Sequence, residues 1–288
     1  MILKPAAYFC CLPNTQTSMK TLINTCLLAA FFYLPFMHLT AQGDAPQRYY
    51  AIDYMKVEPG KHDDYLKLEK AWKKIHEANI KAGKYSYWTL TSVLYPSGAE
   101  EAYNYVTRIN FSGEKQLAEY LENWAMPALE SILTKEERDM VARTPEFRTL
   151  VRSEIWARAD QDVSEDMDDA NVMVFNFFNF PETGSRTDHM RVEMDIWKPV
   201  HKARREAGEM KGWVLLAKQL PYGSADAYHD ATVDIYANME QFLNQGSPLP
   251  YFEKVHAGKD VDKLMAETEA AANLIRAEVR MKVDDAKE

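Results

Sequence analysis

The sequence contains almost no cysteine. Its three cysteines lie at positions 10, 11 and 26 of 288 residues, so all later positions are free of thiol groups. This distribution excludes disulfide bonds, cysteine nucleophiles and thiolate metal ligands from most of the chain. A chain that works without thiols suits an oxidising compartment.

An excess of positive charge is absent as well. The chain has 34 lysine and arginine residues against 43 aspartate and glutamate residues, and its formal net charge is −9. Nucleic acids and anionic lipids attract cationic surfaces, so this balance argues against nucleic acid or an anionic membrane as a partner.

Several motifs with a known chemistry are also missing. The sequence has no Gly-x-Gly-x-x-Gly and no phosphate-binding loop, which argues against nucleotide binding. It has neither a Gly-x-Ser-x-Gly elbow nor a His-Glu-x-x-His pair. His62, His189, His229 and His256 lack the mutual spacing of metal ligands, and we predict no metal site.

One long apolar run is present, from Leu22 to Leu39 near the N-terminus. It follows the basic start Met19-Lys20, contains Pro35, and gives way to polar residues around Ala41. This pattern predicts a signal peptide that starts at Met19 and is cleaved near Ala41, so residues 1–42 form the predicted signal region. The run is short for a stable membrane span. We therefore expect a secreted or periplasmic protein with no membrane contact after cleavage.

The strongest feature of the sequence is an internal repeat. The segment from Trp72 to Trp88 returns 125 residues later as the segment from Trp197 to Trp213. Both copies follow the pattern Trp-x3-His-x6-Gly-x4-Trp, and about a third of the positions from Trp72 to Thr107 match their counterparts. Repetition over this length predicts a duplicated domain. Further matches are Pro96/Pro221, Gly98/Gly223 and Tyr103/Tyr228.

Each copy is predicted to run strand, helix, strand, strand, helix, strand, because strand-like runs alternate with apolar residues at helical spacing. Glycines Gly83 and Gly208 end the first helices, where a left-handed cap is favoured, and Pro199 should kink the second of these helices. The elements predicted for the first copy are Arg48 to Val57, Lys61 to Ala82, Tyr85 to Tyr95, Ala102 to Phe111, Glu114 to Leu129 with a further helical turn through Val141, and Leu150 to Trp156. Those of the second copy are Val172 to Phe180, Arg186 to Ala207, Met210 to Leu220, Ala227 to Tyr236, a broken helix from Met239 with Val261 to Ala272, and Leu274 to Arg280.

An acidic stretch with few apolar residues, from Asp160 to Asp169, separates the copies and is typical of a linker. We predict repeat 1 at residues 43–159, the linker at 160–170 and repeat 2 at 171–288. The first strand of each copy is apolar on both faces, so both faces should be covered. Two copies can supply that cover by packing sheet against sheet.

A β-α-β-β-α-β unit is the ferredoxin-like plait. With its repetition and two-faced strands, the chain resembles the dimeric α+β barrel superfamily, which includes antibiotic-biosynthesis monooxygenases, EthD-like proteins, haem-degrading monooxygenases and chlorite dismutases. The resemblance implies an α+β fold in which two tandem ferredoxin-like repeats form an internal dimeric α+β barrel. It also implies a small-molecule cavity between the sheet and the helices, and either no cofactor or haem.

The candidate site residues lie on the inward stripe of the first helix in each copy. We assign candidate catalytic roles to His76, Asn79 and His201, since an inward imidazole can act as a base or a ligand. The alternative is that each histidine is a hydrogen-bonded core residue retained since the duplication, with a partner on the inward face of the last strand or a nearby tyrosine. The candidate ligand-binding residues are Trp72, Trp88, Arg152, Trp197, Arg204, Trp213 and Arg276.

Two classes of function follow from these residues. As an enzyme, the chain would be a monooxygenase-like oxidoreductase that acts on a small aromatic or quinol-type substrate. As a binding or interaction protein, it would hold a small ligand without turnover, or keep a filled core. The copies differ where Asn79 is replaced by Arg204, so we expect the functional pocket to be the one with His76. The fused pair should be a monomer with an internal pseudo-dimer, or a weak homo-oligomer.

Overall fold

The computed structural model describes residues 47–94, 102–223 and 226–287. The predicted signal region and the matched positions Pro96 and Gly98 lie outside these ranges. The described residues belong to one compact unit, Ala41–Glu288. Within them, no helix is long and apolar enough to span a membrane.

The described ranges contain eight strands and nine α-helices. The strands are β1 Tyr49–Lys56, β2 Tyr87–Leu94, β3 Tyr105–Phe111, β4 Thr149–Val163, β5 Val172–Asn179, β6 Gly212–Leu220, β7 Asp230–Tyr236 and β8 Asn273–Lys287. The helices are α1 His62–Lys81, α2 Glu114–Asn123, α3 Lys135–Ala142, α4 Thr144–Phe147, α5 Arg186–Val192, α6 Lys198–Glu206, α7 Met239–Leu243, α8 Leu249–Val255 and α9 Val261–Ala271, with a 3₁₀ turn at Leu129–Ser131 and a π-helical turn at Glu193–Trp197.

The strands form one closed antiparallel barrel in the order β1-β3-β2-β8-β5-β7-β6-β4. The predicted α+β barrel is confirmed. The two sheets do not only pack face to face, because β2 pairs with β8 and β4 pairs with β6. These two seams hydrogen-bond strands of the first copy to strands of the second. Closure leaves no unpaired strand edge, which is a favourable way to complete a twisted sheet.

The strands are covered on both faces, as their sequence predicts. In β1, Tyr50, Ile52 and Tyr54 point into the barrel, whereas Ala51 and Met55 contact the helices outside it. Aromatic and aliphatic side chains from the strands fill the barrel interior. Each strand therefore separates an inner core from an outer core, and the parity of a residue decides which of them it joins.

The first helices of the two copies differ in shape. Helix α1 is continuous, whereas the corresponding segment in the second copy is divided into α5, the π-helical turn and α6. Pro199 lies in the first turn of α6. The regular α-helix is thus interrupted just before Pro199, whose missing N–H removes a hydrogen bond to the preceding turn. Gly83 and Gly208 follow these helices with φ of 72° and 82°, as predicted for left-handed caps.

The predicted linker is shorter than expected. Strand β4 continues through Val163, so Asp160 to Val163 are part of the barrel and the connection to β5 begins at Ser164. The acidic residues are held in the strand by ion pairs, since Asp160 Oδ2 lies 2.7 Å from Lys198 Nζ and Asp162 accepts at 2.6 Å from Arg205 Nε. The predicted helix through Leu129 is also shorter and ends at Asn123.

Candidate functional site

The predicted site residues lie in three separate places. His76, Asn79, Trp72 and Trp88 lie between α1 and the outer face of the barrel, and the residues of the second copy, His201, Arg204, Trp197 and Trp213, lie on the equivalent side of that copy. Arg152 and Arg276 point into the barrel, on the opposite face of the strands. Of the two partners expected for the histidines, the last strand is therefore excluded, whereas a nearby tyrosine is found for His76. In the first part of β4, the side chains of Arg152, Glu154 and Trp156 face the interior, whereas Ile155 faces α1.

His76 is held by a tyrosine that the helical stripe did not reveal. The Tyr85 hydroxyl lies 2.7 Å from His76 Nδ1, and Asn79 Nδ2 donates to the same hydroxyl at 3.2 Å. The imidazole stacks on the Trp88 ring, with ring centres 4.7 Å apart and an interplanar angle of 13°. These contacts fix the position and orientation of the imidazole.

The hydrogen bonds also determine which nitrogen of His76 carries the proton. Tyr85 accepts from Asn79, and the described residues offer its O–H no other acceptor than His76 Nδ1. Burial, assisted by Arg148, lowers the pKa of His76 to about 3, so the ring is neutral at pH 7. A neutral ring that accepts at Nδ1 carries its hydrogen on Nε2. His76 is thus arranged as a hydrogen-bond donor and not as the base that the sequence analysis gave as one of its possible roles.

Asn79 complements this donor with an acceptor. It is 1% exposed, and its Oδ1 is buried without a hydrogen-bond partner among the described residues. A buried carbonyl oxygen without a partner costs free energy in a protein with a fully packed core. One turn of α1 therefore carries an uncharged donor, His76 Nε2, and an uncharged acceptor, Asn79 Oδ1.

The cover over this pocket is thin. Helix α2 contains no buried residue, and Trp124, which follows it, is 41% exposed while its ring stacks 6.5 Å from that of Tyr85. Lys84 Nζ donates to the Ala125 carbonyl at 3.0 Å and ties this segment to the end of α1. A cavity of about 30 Å³ lies between Lys84, Tyr120 and Trp124. The segment from Trp124 to Ala128 has no regular secondary structure.

In the second copy, a charged side chain and its partners fill the space that corresponds to the one beside His76. Arg204 is 4% exposed, and its Nε and NH2 donate to Glu209 Oε2 at 3.3 Å and Gln245 Oε1 at 2.9 Å. His201 stacks on Trp213 with ring centres 5.6 Å apart, but its Nδ1 has no hydrogen bond and lies 3.8 Å from Asp234 Oδ1. Burial lowers the pKa of His201, against the pull of Asp234. The permanent partners of Arg204 are those of a structural ion pair.

The two outer tryptophans are also anchored structurally. Trp72 Nε1 donates to Thr144 Oγ1 and Trp197 Nε1 donates to Thr268 Oγ1, both at 3.1 Å. Both indole N–H groups are therefore satisfied within the protein, which favours the packing role for this pair. Trp88 and Trp213 are at most 1% exposed and present their faces to the histidines.

The barrel interior contains a polar network that sequence reasoning only partly identified. Arg152 and Arg276, which were predicted to bind ligand, form ion pairs with Glu154 and Glu278 on their own strands. The other members of the network were missed: Tyr54, Tyr103, Tyr228 and Arg280. Tyr103 and Tyr228 match in the repeat, and that match was the available signal. Burial alone would raise the pKa of Glu278, but Arg280 and Tyr103 outweigh it, so the pKa lies below its usual value.

Haem, one of the two cofactor alternatives that the resemblance implies, does not fit beside His76. One face of the imidazole is covered by Trp88 and Nδ1 is taken by Tyr85, while the neighbouring cavity of about 30 Å³ compares with several hundred Å³ for a cofactor-sized site. A cavity inside the barrel, next to Arg280, is about 10 Å³, which is room for one water molecule. No group of three or more metal-ligating side chains was found in the described part of the chain.

No protein-family model matches the sequence, and no curated protein matches it. Solved structures of similar architecture include an anthrone oxidase-like protein, with 12% identity over 85% of this chain and 94% of the other and a TM-score of 0.46. A mutant chlorite dismutase from Candidatus Nitrospira defluvii has 9% identity over 82% and 91%, with a TM-score of 0.42. A dye-decolorizing protein from V. cholerae has 10% identity over 87% and 96%, with a TM-score of 0.42.

Proposed function

We propose that this protein is an exported α+β barrel that binds a small, uncharged aromatic or quinol-type compound beside His76 and acts on it as a monooxygenase-like oxidoreductase. The observation that carries the proposal is the uncharged donor and acceptor pair on α1. His76 Nε2 makes no hydrogen bond to the described residues, and Asn79 Oδ1 is buried without a partner. A ligand with a phenolic hydroxyl and a neighbouring oxygen satisfies both atoms.

In this role His76 is an electrophilic group. Its Nε2–H donates to a ligand oxygen and stabilises the negative charge that develops there when an adjacent carbon loses a proton. Dioxygen is the oxidant: where the ligand carries a CH₂ group next to the oxygen-bearing carbon, that CH₂ carbon loses two hydrogens and gains one oxygen atom as a carbonyl. The second oxygen atom leaves with both hydrogens as water. The Trp88 ring stacks on one face of the imidazole and holds it in place, and Asn79 orients the ligand hydroxyl.

Entry to the pocket requires the segment after α2 to move. Trp124 stacks on Tyr85 and is 41% exposed, and its displacement joins the adjacent cavity to the space around His76. The absence of buried residues in α2 makes this displacement inexpensive.

The proposal includes an internal pseudo-dimer. Residues 43–159 and 171–288 act as two repeats, and the β2–β8 and β4–β6 seams take the place of an interface between subunits. A monomer is then sufficient. Residues 1–42 act as the export signal and place the mature chain in a secreted or periplasmic location.

The test combines binding with turnover. Purified mature protein is incubated in ¹⁸O₂ with a panel of small phenols that carry such a CH₂ group, and with hydroquinones, while oxygen consumption and label in the product are measured. Only the CH₂ compounds can gain label from dioxygen by this reaction. We expect His76→Ala to abolish labelled product with little change in Tm, and the matched variant His201→Ala to lower Tm and retain turnover.

The other outcomes select among the alternatives. Binding that depends on His76 without oxygen uptake assigns the protein to non-catalytic ligand binding. If both variants lose the same stability and the wild type binds no ligand, both histidines are core residues and the proposed function is refuted.

A further inference from the structure

The last strands of the two copies carry the same charged pair into the barrel. Arg152 and Glu154 on β4 correspond to Arg276 and Glu278 on β8, and all four point to the interior at the end where these strands begin. We call Arg152 and Arg276 the arginine pair. Each has a side chain that is 32% exposed, whereas the glutamates are 3% exposed. The guanidinium groups thus form the solvent-facing layer above a buried carboxylate layer.

One phenol oxygen brings the arginine pair together. The Tyr103 hydroxyl donates to Glu278 Oε2 at 2.6 Å and accepts from Arg276 NH2 and, at 3.4 Å, from Arg152 NH2. Two guanidinium groups that converge on one neutral oxygen repel each other. Tyr103 has no charge with which to offset that repulsion, because burial raises its pKa to about 12.

The buried carboxylates leave positive charge uncompensated. Arg280 is fully buried and shares Glu278 with Arg276, donating at 2.6 Å from Nε. The oxygens of Glu154 accept from the neutral donors of Tyr54, Trp156 and Tyr228 at 2.8, 3.0 and 2.6 Å. Three guanidinium groups therefore face two carboxylates, which leaves one net positive charge in this cluster.

Arg152 carries most of that excess. Its Nε lies 3.4 Å from Glu154 Oε1 but lacks hydrogen-bond geometry, so the contact is an ion pair without a hydrogen bond. Its guanidinium lies over the Tyr54 ring at 4.1 Å, and that of Arg276 lies over the Phe177 ring at 5.1 Å. The rings hold both planar groups in place while their outer N–H donors remain available to a ligand.

We propose that the arginine pair is a binding site for a small oxyanion, a carboxylate or phosphate group, at this end of the barrel. The oxyanion bridges Arg152 and Arg276, neutralises the excess charge and accepts from both guanidinium groups. The barrel interior is filled by side chains, so only the anionic group enters the site and the rest of the ligand stays outside. The site draws on both copies of the repeat and is separate from the pocket at His76.

The experiment measures anion binding to the mature wild-type protein at low ionic strength. Sodium phosphate and sodium benzoate are titrated by calorimetry, with Tm followed in parallel. We expect saturable binding, and Arg152→Gln and Arg276→Gln each to weaken it by roughly tenfold or more. The matched control is Arg143→Gln, because Arg143 is exposed and its contacts with Glu146, the Asp139 carbonyl and the Phe147 ring are all local; this variant should bind as the wild type does. The anion that binds more tightly identifies the chemical group.

A second set of variants covers the case in which glutamine disturbs folding. Arg152→Lys keeps the charge but loses the planar fork, so we expect a folded protein with weaker binding. Tyr103→Phe removes the shared hydroxyl and keeps both guanidinium groups, so binding should persist. Absence of saturable binding in the wild type, or wild-type affinity in both glutamine variants, overturns the proposal. Weak binding that Arg143→Gln reduces equally identifies non-specific surface attraction and also overturns it.

Discussion

Glu69 offers a quantitative test of the outer core. It lies on α1, is 4% exposed, and its Oε1 has no hydrogen bond and lies 3.5 Å from Arg148 Nε. Burial raises the pKa of Glu69 to about 7 from an ordinary value of 4.5, because it outweighs the attraction of Arg148. The folded state therefore holds this proton more tightly than the unfolded state does.

The direction of the pH dependence follows from this difference. Below about pH 4.5 the carboxyl is protonated in both states, and Glu69 has no charge-related cost. As pH rises towards 7 the unfolded state ionises first, so the free energy of unfolding falls, by about 3 kcal/mol in total above pH 7. Glu69→Gln cannot ionise. The difference in stability between the variant and the wild type should thus increase by about 3 kcal/mol between pH 4 and pH 8.

Urea unfolding followed by tryptophan fluorescence, at intervals from pH 4 to pH 8, measures this difference. The matched control is Glu137→Gln, which removes a carboxyl whose pKa is lowered by its hydrogen bond to Lys74. Its pH dependence should have the opposite sign, with stability lost relative to the wild type as pH rises through the acid range. A Glu69→Gln difference that stays constant from pH 5 to pH 8 would refute the assignment of Glu69 as a buried, weakly compensated acid.

Three further outcomes are expected. Burial lowers the pKa of His189, but its contacts with Asp230 and Glu193 outweigh burial and raise the pKa to about 9. As pH rises from 6.5 through 9, the free energy of unfolding of the wild type should therefore fall by about 3 kcal/mol relative to His189→Gln, as measured by the same urea titrations. Trp124→Ala should cost about 1 kcal/mol in unfolding experiments and accelerate ligand association in stopped-flow fluorescence, whereas an unchanged association rate argues against entry at this point. Residues 43–159 and 171–288 expressed separately should be insoluble or associate; a soluble monomer with a cooperative melt from either half contradicts the shared barrel.

The sequence was sufficient to predict much of the architecture, for identifiable reasons. Tyr50 and Ala51 are neighbours that are both apolar, which indicates a strand buried on two sides, and the structure places them in the inner and the outer core. Gly83 and Gly208 mark the ends of the first helices because few other residues adopt the conformation found there. Both features depend on only a few neighbouring residues, and the folded structure retains them.

The arrangement of the site depended on information that is not local. Arg152 points into the barrel, whereas His76 lies outside it. The register of β4 within the barrel sets the direction of Arg152, and a shift of one residue would turn its side chain to the outer face. Tyr85 binds His76 across the helix cap, at a spacing that no helical stripe includes. The acidic composition of Asp160 and Asp162 indicated a linker, but composition cannot reveal that a lysine and an arginine from another segment hold them in a strand.

The seam between β2 and β8 has a consequence for how fast the chain folds. It joins residues that are 195 positions apart, as in the hydrogen bond from Thr89 Oγ1 to the Asp284 carbonyl. Contacts between such distant residues form late, because closing the long intervening chain costs conformational entropy before any of these contacts has formed. During synthesis β2 remains without its neighbour until almost the whole chain has been made. We therefore expect slow refolding with a long-lived open-barrel intermediate, and a need to shield the edge of β2 during that interval.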